Sequence, residues 1–124
     1  MSRIVAAVLA VLMAANGLYM LFAPLAWYSA VPGVVTTGPF NAHFVRDIGS
    51  IYIVTAAAAA WFAWRPAQGW PAVVAVALWH SLHGAVHVFD AVCGTRPMAD
   101  LTRDFVGVFG PALIALALAA RRPA

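Results

Sequence analysis

Charge is what this chain has least of. Only 9% of its 124 residues are charged; the positive ones are seven arginines with no lysine, and the acidic ones number four. A soluble domain carries about 25% charged residues, so a surface made for water is excluded. No basic stripe interleaved with aromatics exists either, which leaves no nucleic acid among the expected partners. Cysteine is nearly absent, and Cys93 alone cannot form an internal disulfide. Length is the last shortage, because four membrane spans with short connections consume nearly all of the chain and leave no room for a separate soluble catalytic domain. What fills the sequence is apolar: 65% of it is hydrophobic, with a mean hydropathy of +0.90. The class is an all-α membrane protein.

Apolar runs place the spans at about residues 4–24, 43–64, 72–92 and 101–120, a single transmembrane domain over 1–124. Each run is close to the ~20 residues that cross a hydrocarbon core of about 30 Å. The first follows Arg3 but exceeds the roughly 7–15 residues of a signal-peptide core, so it is read as a retained span. Residues 29–41 hold Pro-Gly and Gly-Pro steps and form a loop ending at Asn41, a helix cap; residues 65–71 read as a turn, and 93–99 as a second loop after which Asp100 caps the last helix. Arg3, Arg65, Arg121 and Arg122 gather at one side, against Arg46, Arg96 and Arg103 at the other. The positive-inside tendency therefore predicts a four-helix transmembrane bundle with both termini in the cytoplasm.

Polar residues fall on stripes. In HSLHGAVHVFD, residues 80–90, a rotation of 100° per residue puts His80, His83, His87 and Asp90 within an arc of about 80°. His83 and His87 form an i,i+4 pair, with His80 about 4.5 Å deeper than His83. In NAHFVRDIGS, His43, Arg46, Asp47 and Ser50 share a face, and in ADLTRDFVG, Asp100, Arg103 and Asp104 do so. With the predicted topology these stripes meet in the outer half, where Asn16 and Tyr19 of the first helix lie at comparable depth. Ionisable groups in spans nearly always face a protein interior or a water-filled cavity, so an outward-opening polar pocket is expected.

Imidazole is the commonest ligand of Zn, Cu and Fe, and a carboxylate serves as a further ligand or fixes the ring tautomer. The predicted metal set is His43, His83 and His87, with Asp47 or Asp90 completing or orienting it and His80 as a fourth ligand or relay. Arg46, Arg103 and Asp104 are supporting ion pairs. The pattern lacks the HExxH of zinc peptidases, and four histidines are too few for a desaturase-type histidine box. Three alternatives stay open: a b-type haem between His43 and His83 or His87, a proton or anion pathway, and a purely structural polar cluster in a scaffold or accessory subunit. No catalytic residue, substrate or reaction can be read.

The segments TGPFNAHFVRDIGSIY and, about thirty residues later, HSLHGAVHVFD resemble small DoxX-like four-helix bacterial membrane proteins, most of them without an assigned function. The likeness covers residues 37–90 and implies the fold and a bacterial cytoplasmic membrane, but no mechanism. The alanine-rich, lysine-free composition suits the same source. The expected partners are the lipid bilayer and a membrane protein, or a second copy of the chain. The Arg-Asp step of FVRDIG recurs in LTRDFVG, which would suit a duplicated two-helix hairpin, although helices 1 and 3 do not match.

Overall fold

The computed structural model describes residues 1–123, and every regular element among them is helical. Helix α1 (Ser2–Phe22) ends where Pro24 disfavours helical geometry in the residue before it, and Ala23 takes φ −136° and ψ 56°. A short helix α2 (Pro24–Ala30) follows, then a single 3-10 turn at Val34–Thr36. Helix α3 (Ala42–Trp64) starts at Asn41, whose side-chain oxygen accepts the Phe44 N–H at 3.1 Å.

Helix α4 (Pro66–Val92) begins earlier than the sequence suggests. In place of a turn over 65–71, Arg65 alone separates α3 from α4. Pro66 occupies the first helical position, where its missing N–H has no partner to lose. The hairpin is so tight that a Cβ on Gly69 would lie 2.6 Å from the Phe62 backbone, and only glycine fits there.

The last apolar run is not one helix over 101–120. It divides into α5 (Asp100–Arg103), a π-helical turn (Phe105–Phe109) and α6 (Gly110–Ala119). The break falls just before Pro111, which has no N–H to offer the carbonyl four residues back and whose ring crowds that carbonyl, and the π-helical turn takes up the mismatch.

Helices α1, α3 and α4 are long and apolar enough to cross a membrane; the stretch Phe105–Ala119 is apolar but shorter. The most extensive packing is that of α1 on α3; α4 packs on α3 and α6 to a lesser and similar extent, and α6 touches α1 lightly. The buried faces are rich in small residues such as Ala6, Ala56, Ala59, Ala77 and Ala115, while Val8, Leu12, Leu78, Leu82 and Val86 point outward and are exposed. Small side chains inside and large apolar ones outside is the distribution expected where lipid is the solvent.

Helices α1 and α3 run antiparallel and cross at Gly17 and Gly49. A Cβ on Gly17 would lie 2.8 Å from the Gly49 carbonyl oxygen, and one on Gly49 would lie 3.1 Å from that of Gly17. Arginines close both ends of the pair. Arg3 donates to the carbonyls of Ala63 (2.8 Å) and Trp64 (3.1 Å), while Arg46 donates to that of Leu21 (3.1 Å). Each helix thus carries near its start a guanidinium that satisfies carbonyls left open at the end of the other. The Trp70 indole donates to the Ala119 carbonyl (2.9 Å), which puts the end of α6 beside the start of α4. The start of α1 and the end of α6 therefore lie at the Arg65 end of the molecule, and the loops around Thr36 and Arg96 lie at the other.

Candidate functional site

The histidines of α4 lie on its packing face. Val73, Val76, Ala77, His80 and Gly84 are its buried residues in the helical middle, spaced by three and four, and His87 continues that row. The row meets different neighbours at different depths. His80, 1% exposed, meets the rings of Tyr52 and Trp79 edge-on, and these two also touch each other. His83 stacks flat on Trp79, the planes 3° apart with centroids at 5.4 Å, and meets His87 edge-on at 4.9 Å.

His87 begins a chain of charged contacts. Its Nδ1 lies 2.8 Å from Oδ2 of Asp104, whose side chain is only 10% exposed. Oδ1 of Asp104 accepts from Arg103 Nε at 2.8 Å, and Arg103 Nη1 donates to Asp100 at 2.8 Å. Asp100 also binds Arg96 at 2.7 Å. Arg96 reaches across to the other loop, where it donates to the carbonyl and, at 2.7 Å, to the hydroxyl of Thr36. Two guanidinium cations face two carboxylates here, so the charges compensate within the cluster. Gly33 makes room for it: its φ of +84° and the space under its Cα suit glycine, since a Cβ would collide with the Arg103 guanidinium.

His43 does not join this group. Its side chain is 88% exposed and pairs with Asp47, one turn along its own helix, at 3.3 Å. At 100° per residue His43 stands roughly opposite Val45 and Tyr52, which are buried in α3. The polar arc of α3 is thus its outer face, and the expected three-histidine set is not assembled. Arg46 contacts no aspartate either. Adjacent residues on a helix diverge by about 100°, so Asp47 turns to His43 while Arg46 turns to the end of α1. Asp100 is not the helix cap; it opens α5 and spends its carboxylate on Arg96 and Arg103. Asp90 is half-buried, and its carbonyl ties down Thr95 and Arg96. Asn16 binds the Trp27 indole at 2.9 Å.

Among the described residues no three His, Cys, Asp or Glu side chains stand ready around a common point for a metal ion. What the fold brings together is narrower: two neighbouring imidazoles, one of them held by a carboxylate. Arg96 and Thr36, which complete the cluster, were not legible as site residues, although the four-residue spacing of Arg96 and Asp100 is a helix-pair signal. Comparison with protein-family models, with curated proteins and with solved structures gives no match.

Proposed function

We propose that this chain is a four-span protein of a bacterial cytoplasmic membrane, DoxX-like in outline, with both termini inside and a transition-metal site in its outer half. The ligands in this reading are the imidazoles of His83 and His87. The observation that carries it is the 2.8 Å contact between His87 Nδ1 and Asp104. A carboxylate on one ring nitrogen holds the N–H there, turns the other nitrogen outward as a lone-pair donor, and raises its basicity; metal-bound histidines are oriented in this way. His83, at 4.9 Å between centroids, supplies a second donor at i,i+4 spacing. Asp90, one turn beyond His87 on the same stripe, and water are the remaining donors, so binding draws Asp90 inward. Zinc, copper and iron all suit imidazole with carboxylate.

Haem fits the same residues poorly. His43, the partner a bis-histidine haem requires, is on the exposed face of α3, and a macrocycle needs facing ligands with open space between them.

The test is metal analysis of detergent-purified protein equilibrated with Zn(II) and washed. The wild type retains the ion; His83→Ala and His87→Ala each lose most of it. Equal retention in all three removes the metal reading. It would leave the alternative of an accessory subunit, favoured by one observation: Arg96, Asp100, Arg103 and Asp104 already neutralise one another without any ion.

A further inference from the structure

A second group of donors lies deeper, on atoms that the outer site does not use. His80 Nδ1 is 3.0 Å from the carbonyl oxygen of Val76, one turn back on α4. A carbonyl can only accept, so Nδ1 carries the proton. In a neutral imidazole Nε2 is then a bare lone pair. That nitrogen points across to α1 and lies 3.1 Å from the thioether sulfur of Met13, which also has no hydrogen to give. His80 and Met13 are 1% and 5% exposed, so no bulk water mediates. Two buried acceptors aimed at each other with no donor between them is an arrangement that a protein interior normally avoids.

A cation resolves it. A second proton would do so only by giving the imidazolium N–H at Nε2 a thioether, a weak acceptor, as its partner, with no carboxylate in contact. A soft metal ion suits the pair better, because thioether sulfur and imidazole nitrogen together select monovalent copper and its stand-in silver over hard divalent ions. We infer that His80 Nε2 and Met13 Sδ form the seat of a soft monovalent cation, Cu(I) in chemistry, inside the helix packing. Met13 is unbranched and flexible enough to open the short gap when the ion enters. His83 and His87 stand on the same face, toward the polar end. The seat stands on different atoms from the proposed outer site.

The experiment uses the full chain in detergent with Cys93→Ser throughout, because a free thiol would itself capture the probe. Silver(I) alone is titrated, and its ligands are read by X-ray absorption at the silver edge. The expected result is a bound ion with sulfur in its shell, lost in Met13→Leu, with Ag(I) affinity at least about tenfold lower in that variant. Met13→Leu conserves volume and apolarity, so the fold is retained, and its Zn(II) retention stays at the wild-type level because that ion sits at His83 and His87. Unchanged Ag(I) affinity in Met13→Leu, or a silver shell without sulfur, overturns the inference. So does a nitrogen NMR spectrum of the metal-free protein in which both ring nitrogens of His80 carry protons.

Discussion

At Gly33 one backbone angle supports the polar cluster. Its φ of +84° lies in the left-handed region, and the Arg103 guanidinium fills the place of a side chain. Gly33→Ala meets both a conformational penalty and a collision; the expected loss is about 1–3 kcal/mol, measured as a lower thermal midpoint in detergent. His43 gives the opposite expectation. Because its imidazole is 88% exposed and committed at most to Asp47, His43→Ala leaves Zn(II) retention unchanged in the same metal analysis. A large loss there would return His43 to the site. At this scale the sequence pattern grouped His80, His83 and His87 correctly on one face, because rotation along a single helix is fixed by its geometry. It could not tell which arc of α3 faces inward, and the Met13 contact, 67 residues away in sequence, leaves no local trace.

Among the elements, the antiparallel pair α1 and α3 depends on its backbones touching. A Cβ at Gly17 would come within 2.8 Å of Gly49 O, whereas one at Gly107 would meet nothing within 4 Å. Gly17→Leu therefore forces the helices apart, at a cost of about 1–3 kcal/mol or more. Gly107→Ala leaves packing untouched, and thermal unfolding of the two variants side by side in detergent separates them. Apolar run length made α1 and α3 readable almost to their ends. Prolines misled in both directions: the stretch 65–71 reads as a turn although its Pro66 fits at a helix start, and Pro111 lies within the last apolar run yet follows a break in it. What a proline does depends on whether the N–H it lacks is needed, and this depends on where the helix begins.

For the whole molecule, the arrangement of ends is a matter of contacts and the side on which they lie a matter of charge. Arg3 on Trp64 and Trp70 on Ala119 bring the start of α1 and the end of α6 together, and in the proposed topology the arginine count turns that end to the cytoplasm. Cys93, the sole cysteine, is exposed at the opposite end. A membrane-impermeant maleimide added to spheroplasts should label it, and labelling only in inverted vesicles would reverse the topology. In the proposed metal site a carboxylate from the segment after α5 prepares a histidine of α4 to bind the ion. This preparation is tested most directly by the Zn(II) affinity of Asp104→Asn, in which both imidazoles remain. Losing an orienting carboxylate typically weakens binding about 10–100-fold, and a decrease of that size in equilibrium dialysis, with the fold intact by circular dichroism, is the predicted result; an affinity equal to that of the wild type contradicts it.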